Sequence, residues 1–397
     1  MERRVTIPAR SAAAEQGDPT SDAGHSATAD AHPPRPTRER VLAYDILRVF
    51  AAATVVTIHV FAAYISSVGA PPVLSPVNIF DQGLHYAVPM FTFLSGALSW
   101  GAVWGGGAGR YSRFLRRRWL VVGIPYLVWS ILFYFLRPAA GYPPLAHGAV
   151  AMTRQFMVFF VSGTTWYHLY FMPMILVLYL LTPLASRAVH KAPELFLGAF
   201  LLLVVYGVPP VMARYGGMAI HRQLDPMLLP LIGNLVTYSP FMALGAWFSV
   251  RQNEVGRALR WLGAPLLAVA AVVLVLNLGH PAPSDGRYLP SWIYIVDMSL
   301  FILGFLGVAY LLAERPVLTR DSVWADRVVK LASLTLGVYL VHPLLITFGG
   351  RKLAGSIGLL GVWSNVAFVL AFDVVAVALS FALVFALKRW KLTSRLV

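Results

Sequence analysis

Residues 42–66 read LAYDILRVFAAATVVTIHVFAAYIS, an apolar stretch interrupted only by Asp45, Arg48 and His59 among the acidic, basic and histidine side chains. An α-helix needs about 20 mostly apolar residues to cross the core of a bilayer. Comparable stretches recur along nearly the whole chain. The other predicted spans are 83–104, 119–136, 167–186, 194–213, 227–249, 261–279, 291–313, 331–350 and 358–387. The sequence therefore predicts an all-α polytopic membrane protein with about ten transmembrane helices.

The composition supports this class and excludes several others. Hydrophobic residues make up 58% of the 397 residues and charged residues only 12%, which is too little charge for a soluble domain. Long apolar runs, rather than weak alternation, argue against a β-barrel. The chain has no cysteine, so a disulfide framework, a thiolate metal site and a cysteine nucleophile are excluded.

The net charge of +15 reflects membrane orientation rather than nucleic-acid binding. Most of the 32 Lys and Arg residues lie in the two terminal segments and in alternate connections between the predicted spans. Positively charged residues collect on the cytoplasmic side of membrane proteins. We therefore expect both termini in the cytoplasm and no nucleic-acid partner. Segment 150–163 is apolar but too short to span, so it is expected to lie in the interface or to re-enter.

The chain ends are expected to be polar tails. Residues 1–40 are rich in Ala, Pro, Ser, Asp and Arg without a periodic apolar face. Such a segment buries too little surface to order itself, and it lacks the apolar core of a signal peptide. We expect a disordered cytoplasmic tail at 1–40, a membrane domain at 41–390 and a short cytoplasmic tail at 391–397.

The first span carries the sharpest functional candidates. Arg48 and His59 are eleven residues apart, so on a helix they share one face with a rise of about 16 Å between them. A long anionic cofactor could place its phosphates by the arginine and its reactive end by the histidine. The alternative is structural: Arg48 pairs with Asp45 as a cytoplasmic anchor, and His59 is a buried histidine bonded to a neighbouring helix.

An arginine cluster follows the glycine-rich segment 105–109, which matches neither a P-loop nor a dinucleotide fingerprint and is expected to be a flexible cytoplasmic turn. The cluster includes Arg113, Arg116 and Arg117. Guanidinium groups suit phosphate oxygens, and Arg113 and Arg116 are spaced to share a helix face. A topology signal with anionic-lipid contact is an equally good explanation.

Further candidates lie in later spans. Trp166 and His168 open the fourth predicted span, where an interfacial aromatic belt is the simpler explanation and an acceptor entrance the functional one. His342 precedes a proline within a span, and Asp297 and Asp373 also fall inside spans. Ionisable groups there must face the bundle or a wet cavity. No His, Asp and Glu spacing is typical of a metal site.

Ser95 and Gly96 adjoin in the second span. Small residues in a span usually allow two helix backbones to approach closely, and no G-x-S-x-G motif surrounds the serine to make it a hydrolase nucleophile. We therefore expect this pair to serve helix packing.

Five motifs occur in a characteristic order. They are YDILRVFAAATVVTIH at 44–59, VPMFTFLSGAL at 88–98, RFLRRRWLVVGIPYLVW at 113–129, WYHLYFMPMILV at 166–177 and TLGVYLVHPLL at 335–345. In this order the chain resembles the acyltransferase-3 family of bacterial integral membrane acyltransferases over roughly residues 40–390.

The resemblance implies transfer of an acyl group, often acetyl, from cytoplasmic acyl-CoA to a hydroxyl of a cell-surface glycan or a small glycosylated metabolite. It makes His59 and Arg48 the catalytic pair. It assigns Arg113 and Arg116 to the CoA phosphates together with Arg48, and we extend this role to Arg117. It also implies location in the bacterial plasma membrane, in contact with lipids, and a stand-alone form without an esterase-like domain.

The mechanism expected from the residues uses no metal. A histidine is a natural general base for an acceptor hydroxyl, which assigns that role to His59; an acyl-histidine intermediate is a less favoured route. Trp166, His168, Asp297 and His342 are the candidate substrate-binding residues.

Other functions remain open at this stage. Some family members acylate macrolides, so such a metabolite is an alternative acceptor. A transporter or flippase of a polar metabolite would also bury ionisable residues in a cavity, but no internal repeat supports it. A structural scaffold would bind neither CoA nor a glycan. The MBOAT type of membrane acyltransferase shares the chemistry but not the motif order.

Overall fold

The computed structural model describes residues 41–397 apart from 70, 104–106, 208–220, 279–291, 319–321 and 392. Within those residues every regular element is helical, as the all-α prediction requires. The tail predicted at 1–40 lies outside the described residues.

The described residues form α-helices that we number in chain order. Their bounds are α1 Leu42–Val68, α2 Pro76–Leu84, α3 Ala87–Val103, α4 Gly107–Arg118, α5 Ile124–Leu136, α6 Ala149–Ser162, α7 Phe171–Lys191, α8 Pro193–Leu202, α9 His221–Leu278, α10 Trp292–Ala313, α11 Val323–Ala332, α12 Thr335–Leu344, α13 Leu353–Ser356 and α14 Val366–Lys388. Short 3₁₀ turns lie at Pro138–Ala140, Pro316–Leu318 and Leu360–Ser364.

Three wider π-helical turns lie among the described residues, and two of the three join neighbouring helices without a break. They are Trp119–Gly123 between α4 and α5, Leu203–Gly207 after α8, and Leu345–Lys352 between α12 and α13. The turn at Trp119–Gly123 makes α4 and α5 one continuous helix. The arginine cluster therefore lies on a helix that begins at Gly107, and the part of the predicted flexible turn that the structure describes is helical.

Five helices among the described residues are long and apolar enough to cross a membrane. They are Leu42–Val68, Gly109–Leu136, Met227–Leu278, Trp292–Ala313 and Val366–Lys388. A sixth results if Val323–Ala332 and Thr335–Ser356, which meet at a bend of 56°, form one broken span. The predicted span 331–350 contains this bend, and the predicted span 358–387 becomes a helix only from Val366 onward.

Other predicted spans form shorter helices. The second predicted span is α3, with 17 residues. The apolar parts of α7 and α8 extend over Phe171–Pro183 and Pro193–Gly207, and the segment at 150–163 is the helix Ala149–Ser162. Each of these is shorter than the roughly 20 residues that cross a bilayer core without tilt. Length and composition alone therefore identify fewer spans than the sequence predicts.

The longest helix, α9, differs from its prediction. Its 58 residues form one continuous element, whereas the sequence predicts spans at 227–249 and 261–279 joined by a polar connection. A straight helix of this length would extend about 87 Å. The separation into two helices is therefore wrong at the level of secondary structure.

The contacts between α9 and α10 nevertheless show that α9 reverses its direction. Tyr238 hydrogen-bonds to Tyr294 near the start of α10, and Gly256 lies against Tyr310 near its end. From Tyr238 to Gly256, α9 therefore runs parallel to α10.

Beyond Gly256 the contacts return along α10. Leu259 lies against Gly307 and Leu267 against Gly304, so the second limb of α9 runs in the opposite sense. The turn falls inside the connection that the sequence predicts, and the chain stays helical through it.

A close crossing of α3 and α9 is built from glycine. A Cβ atom on Gly96 would lie 2.2 Å from the carbonyl oxygen of Met242, and one on Gly245 would lie 2.0 Å from that of Phe93. The neighbouring Ser95 accepts a hydrogen bond from the Tyr179 hydroxyl at 3.1 Å. Ser95 and Gly96 thus serve helix packing, as predicted.

The first helix lies at the centre of the bundle. It packs against α3, α10, α11, α12 and α14, and apolar residues on several of its faces are buried. Because α1 is enclosed by other helices, several of its polar side chains, including those of Asp45 and Thr54, are buried. This position brings His59 and Arg48 into the interior-facing part of the fold.

Candidate functional site

Arg48 and His59 lie on α1, which is helical throughout both positions. The shared face and the rise of about 16 Å expected between them follow from this geometry. Arg48 Nη1 bonds to Asp45 Oδ1 at 3.2 Å, and the Asp45 side chain is buried. The local ion pair weighed for this arginine is therefore present, while a third of the Arg48 side chain stays exposed.

Three histidines from distant parts of the chain meet in the interior. The rings of His59 on α1 and His342 on α12 stack with centroids 5.2 Å apart and planes 16° apart. His168, which precedes α7, packs edge-on against His342 with centroids also 5.2 Å apart. We call His59, His168 and His342 the histidine cluster. The structure thus joins three residues that the sequence singles out separately.

The members of this cluster differ in access. His168 and His342 are fully buried, whereas His59 keeps part of its surface accessible. The His59 ring also packs against Tyr167, with centroids 4.6 Å apart. His59 is therefore the member that a reactant reaches first.

Hydrogen bonding fixes one histidine and leaves buried nitrogens without a partner. His342 Nδ1 lies 3.1 Å from the carbonyl oxygen of Val338, so Nδ1 carries the hydrogen and Nε2 presents a lone pair. This Nε2 and both ring nitrogens of His168 have no hydrogen-bond partner. Each such buried group costs about 1–3 kcal/mol, a cost typical of sites that bind a polar ligand.

The segment before α7 supplies two of the predicted residues. The helix begins at Phe171 rather than at 167, and Trp166 is buried against Phe133 and Tyr142. An interfacial aromatic belt is therefore the wrong interpretation for Trp166. The Tyr339 hydroxyl donates to the carbonyl oxygen of His168 and ties this segment to α12.

Several tyrosines beside the cluster keep part of their surface accessible. Tyr170, Tyr238 and Tyr294 lie deep in the bundle, yet each keeps part of its surface accessible. Tyr167 combines depth and access in the same way. These tyrosines cannot be recognised from the sequence, because a phenol in an apolar span carries little signal.

The arginine cluster lies on α4, which packs mainly against α3 and α7. Arg113, Arg116 and Arg117 are exposed. Arg118 instead turns inward: its guanidinium lies 4.7 Å from the ring centroid of Tyr179 and donates to Ser99 Oγ at 3.3 Å. Nothing in the sequence distinguishes Arg118 from the neighbouring arginines.

Two carboxylates, on α10 and α14, are enclosed to different degrees: Asp297 is buried and Asp373 is half-buried. Asp297 on α10 is 1% exposed and its Oδ1 has no hydrogen-bond partner. Asp373 on α14 accepts a hydrogen bond from Thr57 Oγ1 at 3.0 Å. In the described part of the chain, no group of three or more His, Asp or Glu side chains is placed to hold a metal ion.

The fold and the cluster define a multi-pass helical membrane protein with a polar site inside the bundle. The sequence pattern of the family described as "Acyltransferase domain", the acyltransferase-3 family, matches residues 41–385. The chain therefore belongs to this family of membrane acyltransferases, as its motif order indicates. No curated protein and no solved structure gives a significant match.

Proposed function

We propose that this protein transfers an acyl group, most simply acetyl, from cytoplasmic acyl-CoA to a hydroxyl of a glycan or a small glycosylated metabolite, with His59 as general base. The observation that carries the proposal is the histidine cluster inside an acyltransferase domain, in which His59 alone keeps accessible surface. A glycan of the bacterial cell envelope is the acceptor we favour.

The transfer reaction requires the protein to supply a general base and to place the acceptor hydroxyl against the thioester. His59 takes the proton of the acceptor hydroxyl as its oxygen attacks the thioester carbonyl carbon. The carbon–sulfur bond then breaks, and the proton passes from His59 to the departing CoA sulfur. Acyl acceptor and free CoA are the products, and no metal or oxidant takes part.

His342 and His168 surround the base. His342 stacks on the His59 ring and is itself held by the Val338 carbonyl. This contact restricts how far the His59 imidazole can rotate. The unpartnered nitrogens of His168 and His342 suit hydrogen bonds to the acceptor, with Trp166 and Asp297 completing the enclosure of the substrate.

The donor is held from the other end of α1. Arg48 lies about 16 Å from His59 along the helix, which leaves room for the pantetheine arm between phosphates and thioester. Arg113, Arg116 and Arg117 are exposed and therefore free to meet CoA phosphates. Guanidinium groups bind phosphate through paired hydrogen bonds.

The direct test is release of free CoA by purified protein supplied with acetyl-CoA and a panel of glycans and macrolides. We expect His59→Ala to abolish acceptor-dependent release. His147→Ala is the matched control, because His147 is exposed in the loop before α6. Full activity in folded His59→Ala protein would refute the base assignment. Substrate flux across proteoliposomes without CoA release would favour a transporter.

The donor site has its own test. Arg113→Gln with Arg116→Gln is expected to raise the apparent KM for acetyl-CoA severalfold, because each phosphate contact contributes a charge-assisted hydrogen bond. The KM for the acceptor serves as the internal control. An unchanged KM for acetyl-CoA would remove these arginines from the donor site.

We also infer about ten spans, with both termini in the cytoplasm of a bacterial plasma membrane. The reversal of α9 and the charge distribution support this topology. Because the chain has no cysteine, single cysteines report their location without background. Ser394→Cys is expected to react with an impermeant maleimide only after the cells are opened, and Ser284→Cys in intact cells. The opposite pattern would overturn this orientation.

A further inference from the structure

The hydroxyl groups of three tyrosines converge beside the histidine cluster. Tyr170 precedes α7, Tyr238 lies on the first limb of α9 and Tyr294 lies on α10. The hydroxyls of Tyr170 and Tyr238 are 3.1 Å apart, and Tyr238 also hydrogen-bonds to Tyr294. Three elements from distant parts of the chain thus present one connected set of phenols, which we call the tyrosine triad.

The triad is partly accessible rather than sealed in a packed core. Its rings are enclosed by the bundle, yet each keeps accessible surface. The Tyr170 and Tyr238 rings stack with their centroids 5.9 Å apart and their planes at 29°. Small-molecule sites are commonly lined by aromatic rings with a few polar groups.

Tyr339 connects the triad to the histidine cluster. Its hydroxyl donates to the His168 carbonyl oxygen, and its ring lies 5.1 Å from the His168 imidazole. Tyr339 is also within electrostatic range of Tyr170 and Tyr238. A ligand held by the triad would therefore be next to the cluster that contains His59.

The polar groups at this surface are neutral phenols. The groups that face the triad hydroxyls are other phenols and, at Tyr294, the carboxyl of Asp297. That carboxyl is almost fully enclosed. A phenol both donates and accepts hydrogen bonds, and its ring packs well against the C–H face of a saturated ring. A charged ligand group would lose its hydration here, and in the described part of the chain no accessible counter-ion faces the triad hydroxyls.

We propose that Tyr170, Tyr238 and Tyr294 form the subsite that binds the acceptor, through a neutral ring bearing hydroxyl groups. This assignment rests on the proposed acyltransferase function and adds the residues and the charge preference that select the acceptor. The phenols hold the ring through its hydroxyls and orient one of them toward His59.

The test compares three acceptors that share one ring: methyl β-glucopyranoside, its uronic acid and its 2-amino derivative. CoA release is measured with full-length protein and acetyl-CoA. We expect release with the neutral glycoside and at least tenfold lower kcat/KM with the two charged ones. Equal use of a charged acceptor, or no release with any of the three by protein that binds acetyl-CoA, would overturn this substrate class.

The residues are tested by removing single hydroxyls. Tyr170→Phe and Tyr238→Phe keep the ring and are expected to raise the acceptor KM about threefold to tenfold, with the KM for acetyl-CoA unchanged. Tyr206→Phe, at an exposed position, is the control. Wild-type acceptor KM in both variants would refute the subsite.

Failure of the subsite and failure of the enzymatic function give different results. If the phenylalanine variants behave like wild type while His59→Ala is inactive, the acyltransferase stands and the triad is structural. If wild-type protein neither binds acetyl-CoA nor releases CoA, the acyltransferase function itself fails, and this subsite with it.

Discussion

Replacing Gly96 with alanine tests whether the crossing of α3 and α9 depends on direct contact between backbones. The new Cβ would lie 2.2 Å from the Met242 carbonyl oxygen and 3.0 Å from its carbonyl carbon. Ordinary contact begins at 3.4 Å, so the two helices must separate by about 1.2 Å. Neither obstructing atom belongs to a flexible side chain, so the strain cannot be relieved by a rotamer change.

The expected cost follows from known overpacking. Inserting a methyl group into a packed interior costs about 1–3 kcal/mol, and for a chain of this size about 1 kcal/mol lowers Tm by about 2 °C. We therefore expect Gly96→Ala to melt about 2–6 °C below wild type. Gly245 lies on the other helix of the same crossing. The change in Tm caused by Gly245→Ala should therefore combine non-additively with that caused by Gly96→Ala.

The assay is thermal unfolding of detergent-purified protein followed by near-ultraviolet circular dichroism. Gly233→Ala is the matched control, because Gly233 also lies on α9 but has no atom within 4 Å of its added Cβ. Alanine there should be neutral or stabilising, since it is the better helix former. If the Gly96→Ala and Gly233→Ala proteins both melt at or above the wild-type Tm, the close crossing does not exist.

Two further predictions concern side chains outside the proposed catalytic groups. Arg118→Gln should lower Tm, because it removes a cation–π contact worth about 0.5–2 kcal/mol and the hydrogen bond to Ser99. Arg117→Gln, at an exposed position, is the control. Equal Tm values for the two variants would contradict the inward position of Arg118. Thr57→Val should destabilise by about 1–3 kcal/mol, because it leaves the Asp373 carboxyl without its hydroxyl partner. Adding Asp373→Leu should recover part of this loss, and a double-mutant cycle with no coupling would exclude the interaction.

The parts of the fold that follow from local hydropathy could be predicted from the sequence. The first span was predicted at 42–66 and its helix is Leu42–Val68, because a long apolar run fixes a helix without help from its neighbours. The bend between α11 and α12 and the helical turn inside α9 could not be predicted. Both depend on contacts with other helices, such as Gly256 against Tyr310, that hydropathy does not encode.

The same distinction applies to the site: some of its residues could be predicted from the sequence, but the contacts between them could not. His59, His168 and His342 can be recognised as candidates from the sequence alone. Burying a polar ring in a membrane span costs free energy, so such a residue indicates a functional site. Their convergence depends on three elements far apart in the chain, so the sequence alone leaves open which of them meet. The tyrosine triad and the inward turn of Arg118 were missed altogether. Tyrosine is ordinary in apolar helices, and four neighbouring arginines look alike until the helix face is known.

The π-helical turn at Trp119–Gly123 has a consequence for how insertions and deletions act on this chain. A π turn is in effect an α-helix with one extra residue, and each residue rotates the helix by about 100°. Removing one residue from this turn would restore regular α-helix and rotate the arginines of α4 by that angle relative to the span that follows. A single-codon deletion here would thus reset which arginines face inward without replacing any arginine.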